Sequence, residues 1–268
     1  MKIKFYKPKN GILKKYIKGY YFILHDENAE PLKYWTFPNN YCIISVSLNT
    51  DVLLEANKIT VIPTDQTNVS ADLVWRYVSP VEIFYEKPVT EITIYFKPLG
   101  LNHFIKDFGD ILRQNNIVQF NAFPDFKQEM EKILNYKERK YQIQELEKYW
   151  LSKLLHRNFN LMRNVLQDVE SDYKIAEIAR KHHIGRQYLN KIFMKNLGKS
   201  PSEYRKIQRF RNSVATKKHV KNLTELSYEN MFYDQSHFIK SFKNLTTLNP
   251  NAFFKQVNTN KNNIWLFV

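Results

Sequence analysis

Cysteine, glycine and long apolar runs are all scarce in this chain. Among its 268 residues there is one cysteine, Cys42. One thiol cannot form an internal disulfide, which fits a reducing compartment. Cys42 lies between Tyr41 and Ile43 in a strand-like run. There it reads either as a small core residue or as a redox thiol, and no neighbouring residue supports the second. No apolar stretch approaches the roughly 18 residues of a membrane span. The longest, 41–48, contains Ser45 and Ser47. The first eleven residues carry lysines with no apolar segment behind them, so neither a secretory leader nor a membrane partner is expected, and the cytoplasm is the default location. No glycine- or serine-rich linker and no low-complexity tract divides the chain.

Catalytic signatures are missing as well. No CxxC, HxxxH, GxSxG or phosphate-binding loop occurs. The first 100 residues contain one histidine, His25, and the adjacent His182-His183 pair would diverge rather than chelate. The sequence therefore predicts no metal site, no cofactor and no enzymatic activity.

Acidic residues are in deficit. The chain carries 41 Lys+Arg against 26 Asp+Glu, a net charge of +15, which points to a polyanionic partner. The excess is not evenly spread. From Ser171 to Val268 there are 18 Lys+Arg and 6 Asp+Glu, whereas the first 170 residues hold 23 and 20. A generally lysine-rich composition would not produce that asymmetry.

Up to about Phe96 the pattern is that of short strands. The run 41–48 is β-branched and aromatic. Val81, Ile83 and Tyr85 alternate with polar residues, as do Ile92, Ile94 and Phe96. Turn residues punctuate these runs, and the combination predicts a sandwich or barrel. After Pro98 the period becomes helical through Leu101, Phe104, Ile105 and Phe108. A helix is expected from Pro124 to Leu134. Another is expected over 138–155, with Ile143, Leu146, Trp150 and Leu154 in one stripe that reads as core or as a dimerisation seam. Seven short helices follow, near 160–169, 174–181, 185–195, 201–217, 223–230, 234–245 and 250–256. The fold class is thus α+β in two domains. Residues 1–157 are a mostly β domain with a helical extension, and residues 158–268 are all-α. The tail from Asn258 turns apolar at Ile264–Val268, which reads as a segment that tucks against the body.

The helical half contains a weak repeat. Ile175-Ala176-Glu177-Ile178-Ala179 is followed by a turn and by the helix 186–195. Leu223-Thr224-Glu225-Leu226-Ser227 is followed by a turn and by the helix 234–243. Each copy reads as a helix-turn-helix, with a small residue where the second helix must cross closely. In the first, Leu189, Ile192 and Phe193 form the face to be buried, and Arg186, Gln187, Asn190 and Lys191 lie opposite. In the second, Phe238, Phe242 and Leu245 are the buried stripe, and Ser236, His237, Lys240 and Asn244 lie opposite. Such charged and amide groups suit phosphates and base edges in a major groove.

Residues 174–254 resemble the DNA-binding domain of AraC-type regulators. The resemblance rests on Tyr188-Leu189-x3-Phe193, Leu197-Gly198-x2-Pro201-x2-Tyr204, Arg209, Gln235-Ser236-His237-Phe238-x3-Phe242-Lys243 and Pro250. It implies two motifs joined by a long central helix, 201–217, with recognition helices about one DNA turn, roughly 34 Å, apart. By position it implies double-stranded DNA as partner, contacted by Arg186, Gln187, Asn190 and Lys191 and by Gln235, Ser236, His237 and Lys240. The chain departs from the family pattern at His183 and Met231, where glycine is usual in the two turns. It departs again at Gly185 in place of a serine cap, at Ser227 in place of alanine, and at Thr247 in place of glycine. A side chain at a left-handed position costs about 1 kcal/mol, so a reshaped second turn is expected.

The stretch 92–100, ITIYFKPLG, is similar to the cupin-like sensory domains found beside that module. The resemblance implies a β-barrel holding a small effector, lined by Trp35, Phe37, Tyr41, Trp75, Tyr77 and Tyr95, each of which also fits core packing. A regulator of transcription is therefore expected, with an N-terminal domain that binds an effector, forms a homodimer or does both. RNA polymerase is a partner if the chain activates. The competing readings are an eroded relative that binds protein or binds nucleic acid nonspecifically, and a cupin-like enzyme.

Overall fold

The structure is a computed structural model and describes residues 4–257. Ten strands precede most of the helices: β1 (Phe5–Tyr6), β2 (Ile17–Ile23), β3 (Leu32–Thr36), β4 (Cys42–Leu48), β5 (Thr50–Glu55), β6 (Lys58–Pro63), β7 (Val69–Val74), β8 (Val81–Tyr85), β9 (Glu91–Phe96) and β10 (Ile117–Gln119). They form a six-stranded sheet in the order β1-β2-β9-β4-β7-β10 and a four-stranded sheet in the order β3-β8-β6-β5. Every adjacent pair in the larger sheet is antiparallel. The expected closed barrel is not formed by the described strands. The outer strands β1 and β10 span two and three residues, too few to extend the ladder into a ring. Short edges of this kind also resist pairing with other chains.

Compactness divides the chain into two units. The first comprises the chain up to Lys33, Tyr41–Trp75 and Ile83–Asn158. Its larger sheet has two unlike faces, because side chains alternate along each strand. Ile92, Ile94 and Phe96 of β9, with Ile44 and Val46 of β4, point to one face and are fully buried. They pack in one cluster with α2 (Phe126–Leu134) and α3 (Arg139–Ser152) through Met130, Ile133, Leu146 and Trp150. The Trp150 ring lies 4.8 Å from that of Phe96. The stripe on α3 is therefore core along Ile143, Leu146 and Trp150, and that face is not free to serve as a dimer seam. Glu147 ties the same helix to the N-terminal segment. Its carboxylate accepts from Lys9 N at 2.7 Å, Asn10 N at 2.8 Å and the Tyr20 hydroxyl at 2.6 Å.

The helical period after Pro98 yields only a 3-10 turn, Leu101–His103, and a four-residue helix, α1 (Phe108–Ile111). Leu101, Phe104, Ile105 and Phe108 all enter the core cluster, so burial rather than regular helix explains their spacing. The turn itself needs Gly100. A Cβ there would meet the Tyr16 carbonyl oxygen at 2.3 Å.

The second unit comprises Tyr34–Asn40, Arg76–Glu82 and the chain from Phe159 onward. It contains α4 (Asn160–Glu170), α5 (Ile175–Lys181), α6 (Arg186–Leu197), α7 (Pro201–Thr216), α8 (Leu223–Glu229), α9 (Gln235–Thr246) and α10 (Pro250–Gln256), matching the seven expected helices. Helix α7 starts with Pro201 behind Ser200, whose side chain accepts from Glu203 N; proline is favoured there because its missing N–H has no role in the first turn. At 16 residues, it spans about 24 Å. The two extra segments hold this helix. Arg76 donates to both oxygens of Glu203 at 2.7 and 3.0 Å. Arg211 donates to the carbonyls of Pro38 and Phe37, and Asn40 donates to the Tyr204 carbonyl at 3.0 Å. Aromatic side chains fill the core behind α7, with Phe210, Phe238 and Phe253 gathered around Phe242 at ring separations of 5.0–5.4 Å. The apolar tail segment 264–268 lies outside the described residues.

Candidate nucleic-acid interface

The two motifs superimpose in sequence with an offset of 48 residues, from α5 on α8 through the turn; their turns are bonded alike, while their helix starts differ by one residue in the backbone N–H that the glutamate accepts. Glu177 reaches back to accept from Lys174 N at 2.8 Å, and Glu225 does so for Lys221 N at 2.9 Å. In the first turn His183 N donates to Arg180 O and Ile184 N to Ala179 O. In the second, Met231 N donates to Tyr228 O and Phe232 N to Ser227 O, all four at 3.0 Å. His183 and Met231 both sit at positive φ, 54° and 59°. Replacing glycine by methionine has therefore not reshaped the second turn, as the sequence led us to expect. The left-handed conformation is kept, because the surrounding hydrogen bonds over-determine it. Thr247 likewise takes the left-handed C-cap of α9, φ 62°, as Gly198 does for α6 at φ 65°.

Ala179 and Ser227, the small residues at the helix crossings, are 2% and 0% exposed. The Ser227 hydroxyl is satisfied within its own helix, donating to Thr224 O at 2.7 Å, so serine fills the alanine position without stranding a polar group. Beyond the turns the copies differ by one residue. Tyr233 is inserted before the cap of α9, so that Asp234 rather than residue 233 corresponds to Gly185. Asp234 accepts from His237 N at 2.6 Å, whereas Gly185 offers α6 no side-chain cap.

Helices α6 and α9 each run 12 residues. Leu189 and Phe193 of α6, and Phe238, Phe242 and Leu245 of α9, are buried. On the opposite faces Arg186, Gln187, Asn190 and Lys191, and Gln235, Ser236, His237 and Lys240, are all exposed. Of these, the Gln235 Oε1 accepts from the Thr224 hydroxyl at 3.0 Å, which fixes one amide relative to the preceding helix. The first helix pair is buttressed from beneath. Lys181 and His182 each meet a different oxygen of Asp168 at 2.7 Å. Burial raises the Asp168 pKa, but these two hydrogen bonds outweigh it and hold the carboxyl below its ordinary range.

Sequence reasoning missed Tyr233, which is 88% exposed at the start of α9. The available signal was the one-residue difference between the copies, together with an aromatic residue that neither buried stripe could accept.

The six aromatic residues considered for an effector are divided between the two units, three in each. Tyr41 and Tyr95 are in edge contact at 6.2 Å. Trp75 belongs to the helix-side core, with its indole donating to Asn115 O. Trp35 is 39% exposed. Phe37 packs on Phe253, and Phe37 and Tyr77 both belong to the helical unit. The inner face of the larger sheet instead carries a polar stripe that sequence reasoning overlooked. Glu91 accepts from Tyr85 at 2.9 Å and from Thr93 at 2.6 Å, and Thr93 meets Ser45 at 3.1 Å. Burial pushes the Glu91 carboxyl up to about 7 against those hydrogen bonds, and burial likewise raises Asp72 to about 6. Among the described residues no group of three or more His, Cys, Asp or Glu could hold a metal ion, and no helix is long and apolar enough to cross a membrane.

Residues 170–256 match the family described as a helix-turn-helix domain. The uncharacterized HTH-type transcriptional regulator YtdP of Bacillus subtilis is 34% identical over 104 residues, which cover 36% of this chain and 13% of that protein. The Msm operon regulatory protein of Streptococcus mutans is 33% identical over 91 residues, 34% of this chain and 33% of that protein. The chain thus spans a third or less of the length of these relatives. Among solved structures, ToxT from Vibrio cholerae aligns over 85% of this chain and 95% of its own, at 13% identity and a TM-score of 0.45. A second ToxT structure, with an unsaturated fatty acid bound, aligns over 87% and 92% at 14% identity and a TM-score of 0.43. Over residues 170–256 this chain is thus similar to a helix-turn-helix domain.

Proposed function

We propose that the chain is a regulator of transcription that binds a specific double-stranded DNA site through α6 and α9. The observation that carries this reading is the duplicated motif. Two helices of equal length bury one apolar stripe each and leave opposite it a set of exposed polar side chains. Arginine and lysine suit guanine or phosphate, and asparagine and glutamine suit adenine. Residues 1–157 would then act as a sensory or dimerising domain and residues 158–268 as the DNA-binding domain. RNA polymerase would be a partner if the regulator activates.

Titration of labelled promoter DNA against random DNA at several salt concentrations tests this. Specific binding should exceed nonspecific binding, and Lys191→Ala and Lys240→Ala should each weaken it by about 1–3 kcal/mol. Equal affinity for both DNAs would sink the reading, and unchanged binding by both variants would remove the assignment of the two helices. An eroded, nonspecific binder has less in its favour, since His183, Met231 and Thr247 keep left-handed backbone.

A further inference from the structure

The β-rich unit contains a cavity of about 680 Å³ on the helix-covered side of the larger sheet, near β1, the end of β2 and the start of α3. Its size lies within the range of small-molecule sites. None of the six aromatic residues considered above lines it. Its lining is unbalanced in charge. Lys4, Lys137 and Arg139 face a single carboxylate, Asp26, which already accepts from Asn28 N at 3.1 Å, and the His25 ring in the same lining lies 3.6 Å from Glu27.

Arg139 is held in place. Its guanidinium lies 3.7 Å from the centre of the Phe22 ring, and one N–H donates to Gln142 Oε1. Gln142 is itself fixed, because its amide nitrogen donates to the carbonyls of Leu134 and Tyr136 at 2.9 Å each. Among the described residues no carboxylate pairs with Arg139, Lys4 or Lys137. Gln142 and the Tyr6 hydroxyl each take a guanidinium N–H, and the remaining donors of the five have no carboxylate to meet. Phe22 and Tyr6 supply an aromatic wall beside this charge. An arginine fork matches a carboxylate or phosphate, and an aromatic wall matches a flat apolar body.

We infer that this cavity is a binding site for a small organic anion that carries an aromatic or apolar group, with Arg139 gripping the anion and Phe22 and Tyr6 flanking the body. Burial holds the Arg139 pKa below the ordinary arginine value, against the influence of the Tyr6 hydroxyl. A bound anion relieves that cost. The inference does not depend on the helical unit reading DNA.

Calorimetric titration of the full chain with phenyl phosphate tests it, with inorganic phosphate and phenol as separate probes. Phenyl phosphate should bind saturably, and the two controls, each lacking half of the recognised chemistry, should bind at least tenfold more weakly. Arg139→Met should weaken phenyl phosphate at least tenfold, while Arg139→Lys, which keeps the charge without the fork, should fall between. If Arg139→Met does not fold, the exposed pair Lys4→Gln with Lys137→Gln should still weaken binding severalfold. Failure of phenyl phosphate to saturate at concentrations on the order of 10 mM would overturn the inference. So would equal affinity of folded Arg139→Met and wild type, equal affinity for the three probes, or wild-type affinity of the double lysine variant.

Discussion

At position 231 a methionine occupies a conformation that methionine disfavours, and His183 and Thr247 do the same. A left-handed L-residue costs roughly 1–2 kcal/mol, and glycine gives part of that back as chain entropy in the unfolded state. His183→Gly, Met231→Gly and Thr247→Gly should therefore each raise stability by about 1 kcal/mol, read as an upward shift in thermal melting without DNA. Gly185 is the reverse case. Its φ and ψ of −72° and 151° are those of an ordinary cap, and a Cβ there meets nothing within 4 Å. Gly185→Ser should stabilise α6 by roughly 0.5–1 kcal/mol, through a cap hydrogen bond and reduced unfolded-chain freedom. A lower melting temperature for this variant would show that the glycine is needed there for another reason.

Among the elements, helix α7 depends on residues distant in sequence. Arg211 is 8% exposed and serves the carbonyls of Phe37 and Pro38. Arg211→Ala leaves two acceptors without their charged donor and should lower unfolding free energy by about 2–4 kcal/mol, measured by urea denaturation. A change below 0.5 kcal/mol would mean that those carbonyls find water. Sequence could not show this anchoring, because nothing local to 211 points to residues near 38. By contrast the seven helices from 160 onward were legible, since each has one apolar stripe and a cap or turn signal at its ends. Strands β4, β8 and β9 were legible through alternation or β-branched content. Strand β2 was not. Nearly all of Ile17–Ile23 is buried, and a strand buried on both faces loses the period of two. On β9, the alternation of Ile92, Ile94 and Phe96 identified the strand while drawing attention away from Glu91 and Thr93 on its other face. The exposed polar residues of α6 and α9 were legible because exposure on a helix follows from its buried stripe. The anion cavity was not, since Lys4, Phe22 and Arg139 meet only through tertiary packing.

For the whole molecule, Glu91 and Asp72 in the β-rich unit should respond to acid in the opposite sense to Asp168 in the helical unit. Glu91 titrates near 7 when folded against 4.5 for the free group, so the native state binds the extra proton between those values. Stability from this group is greatest below about pH 4.5 and is lost as pH rises through 7. Asp72, raised to about 6 by burial, acts in the same direction. From pH 5 to pH 8 Glu91 alone should make unfolding of the β-rich unit easier by roughly 2–3 kcal/mol, with Asp72 adding to it, and Glu91→Gln should flatten that slope in urea titrations at both pH values. Asp168, depressed when folded, contributes stability above about pH 4 that disappears as pH falls further. The duplicated motif has a consequence of another kind. The extra residue, Tyr233, precedes α9 rather than lying within it, so α6 and α9 keep the same length and Leu189 and Phe193 fall in register with Phe238 and Phe242. In that register Arg186 and Gln187 correspond to Gln235 and Ser236, and Lys191 to Lys240, while Asn190 corresponds to Ile239, which packs against the core. If α6 and α9 contact DNA as proposed, exchanging Arg186-Gln187 with Gln235-Ser236 should yield a folded protein whose preferred DNA site has its two halves in reverse order.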